Sequence, residues 1–523
     1  MKWLWFLLLP LPLFAPYLWL DHPTYWSSPD SIFYLNLYTS YRDALWQGEF
    51  YPRWIQESNM GLGTVAFYTF TPLVYHITAL ISAPFPQSDM QQFLFGMYGS
   101  QTFGAWAIYR WLRRRYDARL SMLGAVLYTL MPYKLMVIYQ HYNLAQCWAM
   151  AFAPLWLHAA EHVGTRKGIF AYALAAALCF YAHPLTFLVI GPLALAYALS
   201  SLNSVWRLIA AHLLGFFLIT PQLAAMFISR PWIAWERWVI PYYNSLVNLH
   251  HSDDYYCLYI PVTVWIFYRC RKRLSPQLPQ FWALAALAYY IFATPLSYPL
   301  WANISALNLF QFPFARTQPA MALALSVVCV QIGSTRSREF MCPVAGLFIL
   351  CALLIEFHLQ LVYAYPSSPT MPPTAQQLAI QHHMTTSFSP KQISLPVWTK
   401  LSVPELIARH QEFEIMPRVS GNASIDHIQE GNDWLSFHAT ADSDTTLHIA
   451  RFYIPAWTSE PPLEIRPGAM GLIDITLPKG EHDIRIALRK SWAERVSDIL
   501  ALATLALCVP GLLLPRAYAF NKT

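Results

Sequence analysis

Apolar runs long enough to cross a bilayer recur along almost the whole chain, and this constrains its fold more than any other feature. Crossing about 30 Å of hydrocarbon takes ~20 predominantly apolar residues. Runs of about this length, some shorter, occupy 3–20, 91–111, 120–139, 144–160, 169–182, 185–202, 207–228, 255–269, 281–298, 319–333, 340–363 and 495–514. Only 12% of the 523 residues are charged, about half the share of a soluble domain, and mean hydropathy is +0.33. A soluble globular protein is excluded, and a polytopic α-helical membrane protein is expected. The 21 Trp and 31 Tyr suit interfacial belts, where an apolar ring with a polar tip sits at headgroup level. The net charge of +6 lies in short clusters between apolar runs, the pattern of cytoplasmic loops, and gives no sign of a nucleic-acid partner.

The N-terminal stretch 1–20 carries a single Lys, three prolines (Pro10, Pro12, Pro16) and no small-x-small site before Asp21, so a retained signal anchor is expected. One further apolar run, 65–83, contains Pro72, His76 and three Thr. If it crossed, the Arg110–Arg119 cluster would share a side with the acidic first loop. Treated as juxtamembrane or re-entrant, it leaves Lys2, Arg110–Arg119, Arg166-Lys167, Arg207, Arg269–Arg273, Arg336/Arg338 and Arg516 all inside. The positive-inside rule selects the second arrangement. About twelve spans result, with both termini cytoplasmic. The expected domains are a transmembrane region 1–363, a β-rich module 364–494, and a last helix with its tail, 495–523. The outside face receives the first loop 21–90 with its juxtamembrane helices, the loops 229–254 and 299–318, and the module.

That module opens with YPSSPTMPPTAQQ and continues as short alternating runs: 412–416, 434–439, 446–454, 463–467, 471–478 and 482–490. Period-2 alternation broken by Gly, Pro, Asn and Asp predicts antiparallel strands in a small sandwich. The eight Cys show no CxxC or Cys/His ligand spacing, and most lie in apolar runs, where a thiol behaves as a small hydrophobe. No disulfide framework and no zinc site are expected.

Chemistry is concentrated in the first outside loop. Asp21, Asp30, Asp43, Glu49 and Glu57 fall within some forty residues of a chain poor in charge. Carboxylates beside a membrane are costly unless paired, hydrated or used. The stretches SPDSIFY, ALWQGEFYPRW and GLGTVAFYTFTPLVYHI follow the first span in this loop. Further along come YAHPLTFLVIGPL (181–193), LNLFQFPFAR (307–316) and the carboxy-terminal stretch 450–499 with its LPKGEH turn. Together these resemble GT-C-type membrane glycosyltransferases, closest to the bacterial 6-pyruvoyl-tetrahydropterin-synthase-related and YfhO-like membrane proteins. The catalogue name implies no pterin chemistry.

The resemblance implies an inner-membrane enzyme that moves a sugar from a polyprenyl-phosphate-linked donor to a glycan, lipid or protein acceptor outside the cytoplasm. A carboxylate in the first outside loop would take the acceptor's proton, because an unassisted hydroxyl is a poor nucleophile. The leaving phosphate would need a cation or a helix N-terminus beside it. Asp30, after Ser28-Pro29, is the first candidate base, and Asp21 at the end of the first span the second; otherwise Asp30 caps a helix and Asp21 marks the boundary. The family has His four residues after its acid, where this chain has Tyr34, and carries Arg and Glu where this chain has His141 and Gln146. Arg53 and Arg316 are candidate phosphate contacts or snorkelling anchors. Gln311, Glu236, His183 and His141 complete the substrate-binding candidates. His250, His251, Asp253 and Asp254 have metal-ligand chemistry, so a divalent metal stays open, without an assigned ligand set. The Gly61-Leu-Gly63 turn bends the backbone toward 65–83. The alternative function is a non-catalytic flippase or partner subunit of envelope polysaccharide assembly.

Overall fold

The computed structural model describes residues 4–14, 29–84, 88–200, 205–233, 268, 279–310, 313–334, 395–399, 401 and 403–513. The protein is mostly helical, with a β region near its C-terminus. The helices are α1 (Leu4–Leu8), α2 (Pro29–Trp46), α3 (Leu73–Ser82), α4 (Asp89–Leu112), α5 (Ala118–Thr129) and α6 (Pro132–Met136). They continue as α7 (Leu144–Ala160), α8 (Arg166–Ala182), α9 (Pro184–Ser200), α10 (Val205–Ser229), α11 (Pro279–Phe292), α12 (Tyr298–Asn303) and α13 (Pro313–Ser334). Two short helices, α14 (Val403–Ala408) and α15 (His410–Ile415), precede the strands, and α16 (Trp492–Leu513) follows them.

Local chemistry sets the helix starts. Ser88 and Gln91 form a reciprocal capping box at α4, Asp117 caps α5 through the amides of Arg119 and Leu120, and Thr165 caps α8. Each cap satisfies amides that no earlier turn can reach. Helix α13 is the hub. In its apolar window 94% of the residues are buried, and α5, α9 and α11 pack on it. Helix α16 is the opposite case. It rests on α8 and α10 through Phe170, Ala173, Leu218 and Cys508, and leaves Ile499, Leu502, Leu507 and Leu513 exposed.

The expectation of about twelve spans is met only in part. Among the described residues, three helices are long and apolar enough to cross a membrane: Val205–Ser229, Arg316–Ser334 and Trp492–Leu513. There are up to five if two bent pairs, Ala118–Thr129 with Tyr133–Tyr139 (43°) and Gln280–Phe292 with Pro295–Asn303 (74°), each count as one. The shortfall has a physical basis. Helices α7, α8 and α9 have 17 residues each, about 25 Å at 1.5 Å per residue. Helix α4 is longer, but Asp89, Gln91, Gln92, Gln101 and Arg110 dilute its hydropathy. The expected spans 255–269 and 340–363 lie almost wholly outside the described residues. In 65–83 the structure has a 3-10 turn, Ala66–Tyr68, and then the ten-residue α3, about 15 Å long.

The strands are β1 (Val419–Gly421), β2 (Ser424–Glu430), β3 (Trp434–Ala441), β4 (Thr445–Phe452), β5 (Trp457–Glu460), β6 (Ile465–Pro467), β7 (Leu472–Leu477) and β8 (Gly480–Leu488). They form two antiparallel four-stranded sheets, ordered β1-β4-β7-β6 and β2-β3-β8-β5. Alternation does the work expected of it: Leu435, Phe437, Ala439 and Ala441 of β3 are buried, in one core with Leu447, Ile449, Ile473, Ile475, Ile484 and Ile486. One expected strand is corrected. Residues 412–416 are largely in helix α15, because the apparent alternation of EFEIM also places Phe413 on one helical face, where it is buried.

The sandwich core does not stop at the sheets. Ile32, Trp54, Met60, Leu62, Val65 and Tyr68 of the first loop belong to it, as do Ala225, Trp232 and Ile233. Pairing of β4 with β7 shifts register between Ile449 and Phe452. The Phe452 amide bonds Leu62 O at 2.8 Å, a local departure from the ladder of the kind bulges produce. Asn432 accepts from the Gln56 amide at 3.3 Å and donates to Glu49 Oε1 at 2.9 Å. Trp54 meets Trp457 edge-on at 5.3 Å.

Candidate functional site

Breaks in the helical framework converge on Arg316. The first follows α6. The chain widens into a π turn, Val137–His141, and reverses at Tyr142, whose φ of +48° and ψ of +30° are left-handed. Such conformations are costly for a bulky residue and concentrate at functional sites. Asn143 then caps α7, its Oδ1 accepting from the Gln146 amide at 2.9 Å, while its Nδ2 donates to Tyr34 Oη at 3.0 Å. Gln146 Nε2 donates to Tyr133 Oη at 2.7 Å.

The second break lies between α8 and α9. Pro184 excludes its predecessor from the helical region, and His183 is extended (φ −156°, ψ 105°). Its Nδ1 accepts from the Thr186 amide at 3.2 Å and lies 2.8 Å from Thr186 Oγ1. In the neutral ring this leaves the proton on Nε2. Thr71 Oγ1 donates to Ala182 O at 3.2 Å and so holds the first loop against this break.

Arg316 stands near the start of α13, half-buried, with Nε donating to Phe310 O at 3.2 Å. Its charge acts on Tyr133, His141 and His183. Burial, with Arg316 adding to it, lowers His141 from 6.5 to about 4 and His183 well below the ordinary range. Both imidazoles are therefore neutral near pH 7. The group comprises one fixed cation, neutral imidazoles, and the polar side chains of Tyr34, Tyr133, Asn143, Gln146 and Thr186. Such a set suits an anionic oxygen ester, with a cation for the charge and N–H or O–H donors for the remaining oxygens.

Three substrate-binding candidates, Arg316, His183 and His141, are thus brought together. So are all three positions at which the chain departs from the pattern it resembles: Tyr34, His141 and Gln146. Asp30 is in the first turn of α2, four residues before Tyr34 and hence one helical turn away; its side chain lies outside the described residues. Asp21, Gln311, Glu236 and the 250–254 group also lie outside the described residues.

Arg53, the other candidate phosphate contact or anchor, is engaged within the protein. It is 7% exposed, and its guanidinium donates to Pro221 O at 3.0 Å and Gln222 Oε1 at 3.3 Å. It stacks over Tyr51 at 4.6 Å. The first loop is fastened to α10 by this Arg, whose donors are engaged by protein acceptors or buried. Asp43 pairs with Arg42 at 2.7 Å, and Arg42 also reaches Asp89 at 2.6 Å, so Asp43 is a structural charge. Glu49 carries the Asn432 contact, and burial raises its carboxyl. Gly61 and Gly63 both have positive φ, +79° and +88°, and a Cβ on Gly63 would collide with the Trp54 indole. This turn is a docking device for the sandwich.

Tyr133, Asn143 and Thr186 escape sequence reasoning. For Asn143 and Thr186 the signal is polarity at breaks between apolar runs, HYN before α7 and HPLT at the start of α9, and Tyr133, inside the run 120–139, carries none. No known family model matches the chain, and no curated protein matches it.

Proposed function

We propose that this chain is a GT-C-type membrane glycosyltransferase of about twelve spans, seated in the bacterial inner membrane with its site on the extracytoplasmic face. It transfers a sugar from a polyprenyl-phosphate-linked donor to a glycan, lipid or protein acceptor. The observation that carries the reading is that Arg316 acts on His141, His183 and Tyr133, beside Asn143, which bonds Tyr34, itself one helical turn from Asp30. The exposed apolar side chains of α10 and α16, among them Trp206, Phe216, Phe227 and Leu502, suit lipid rather than water.

In the transfer, the acceptor oxygen attacks the anomeric carbon and its proton passes to the Asp30 carboxylate. The bond from that carbon to the phosphate oxygen breaks, and the phosphate leaves beside Arg316. Neutral His183 donates from Nε2 without adding charge. The sandwich, held on the loop that contains Asp30, bounds the acceptor side.

The test is transfer from polyprenyl-phosphate sugars by the purified chain in vesicles. Arg316→Gln is expected to reduce turnover by about 100- to 1,000-fold, the cost of removing a charge-stabilising donor. Asp30→Asn is expected to do the same. Wild-type turnover in both variants would reject the assignment.

One observation favours a second reading, movement of a lipid-linked sugar. Lys134 is buried beside the 43° helix break, with Nζ 3.6 Å from the Tyr128 ring centroid. A buried ionisable group at a broken helix is a transporter feature. Passage of labelled lipid-linked sugar across the vesicle bilayer, with no glycosidic bond formed, would select it.

A further inference from the structure

A second group of side chains lies at the end of the bundle that carries the Arg110–Arg119 cluster. Helix α7 ends at His158-Ala-Ala-Glu161-His162. Spacing of three and four residues brings these side chains to one face of a helix end. One ligand atom from each of His158, Glu161 and His162 lies within 4.8 Å of the others. We infer that these three residues bind a divalent transition metal of the zinc class.

Four features support a built site. First, His162 Nδ1 lies 2.9 Å from His158 O. Donation there fixes the ring and leaves Nε2 as the lone-pair nitrogen, the usual arrangement of a metal-bound His. Second, His158 Nδ1 is buried with no hydrogen-bond partner among the described residues; a metal would satisfy it. Third, Glu161 has divided its oxygens. Oε1 accepts from Trp111 Nε1 at 2.6 Å, Arg115 Nη1 at 2.6 Å and Tyr197 Oη at 2.5 Å. Among the described residues, Oε2 has only Arg114 Nε, at 4.0 Å. The carboxylate is oriented by three donors on one oxygen, with the other left to coordinate. Fourth, the backbone is pinned: Thr165 N and Oγ1 both donate to His162 O, at 2.8 and 2.9 Å. A Cβ on Gly168 would strike the same carbonyl, so α8 packs directly against the turn.

Two imidazoles and one carboxylate suit zinc rather than magnesium or calcium, which take oxygen ligands. Ligands ~2.1 Å from a tetrahedral metal stand about 3.4 Å apart, so side-chain rotation of about 1 Å closes the present spacing. Arg115 compensates Glu161 in the metal-free state. Arg114 must swing away when the cation enters, and its present 4.0 Å separation makes that movement small.

The test uses the full chain in detergent after chelator treatment, titrated with ZnCl2 against a chromophoric competitor. Saturable uptake of about one equivalent is expected, with none of Mg2+. Zinc-edge absorption on the wild-type complex should report two imidazoles, which requires no variant to fold. His158→Ala/His162→Ala should weaken binding by more than ~100-fold, and Tyr197→Phe, which removes an outer-shell donor, by about 10- to 100-fold. Absence of saturable uptake by the wild type, a zinc shell without imidazole, or wild-type affinity in the double-His variant would each overturn the site.

Discussion

His141 shows how much a single residue's role depends on surroundings that its own neighbours in sequence do not reveal. As a residue in HYN it could be an exposed base, a ligand or a cap. In the fold, burial and then Arg316 lower its pKa from 6.5 to about 4. Between those values the unfolded chain binds a proton that the folded chain does not, so stability falls as pH drops from 6.5 toward 4. His183 works in the same direction. His141→Gln is therefore expected to flatten the pH dependence of the unfolding midpoint across that window, by on the order of 1–3 kcal/mol at its acid end. An unchanged slope from pH 7 to pH 4 would show that His141 is not held neutral. Arg53 teaches the reverse lesson. Its place in YPRW suggested a headgroup or phosphate contact, but Pro221 O and Gln222 Oε1 occupy its guanidinium. A cation scarce on one face draws attention in sequence, whereas its acceptors come from a helix some 170 positions later.

Among elements, the turn between α2 and α3 shows local sequence logic serving a distant partner. Glycines at 61 and 63 predict a bend, and both adopt positive φ. The bend exists because Trp54 lies across Gly63 and Leu62 O receives the Phe452 amide. Gly63→Ala adds a Cβ against the indole at a φ that disfavours it. A cost of about 1–3 kcal/mol is expected, read as a lowered thermal midpoint, and no change would mean that the turn repacks freely. Strands β3 and β7 were legible because alternation survives as burial, and so were parts of β4 and β8. Strands β1, β2 and β5 were not: β2 is largely exposed on both faces, and β1 and β5 are too short for a period to show. Residues 412–416 failed for a related reason, since five residues with three apolar positions fit either period.

At the scale of the molecule, the sandwich and the loop between α2 and α3 share one core and are joined by Trp54–Trp457, Phe452–Leu62 and the Glu49–Asn432–Gln56 bonds. Asn432 is itself held by buried Arg451, which donates to Asn432 O at 3.1 Å and Gly431 O at 3.0 Å. Trp54→Ala should therefore cost about 3–5 kcal/mol and speed amide exchange at Phe452 and Trp457 more than within β8. Uniform exchange across the sandwich would place the junction elsewhere. Sequence by itself determined the helical majority, the position of the β region and the first loop as a unit with unusual chemistry. Those follow from apolar periodicity, from alternation and from charge, properties that each stretch carries alone. Only tertiary structure decided that His141 and His183 come within electrostatic reach of Arg316, that Arg53 is engaged by α10, and that the sandwich is fastened to the loop preceding α3. Those outcomes depend on which breaks between helices face one another and on where buried donors find acceptors, and segments far apart in the chain supply both.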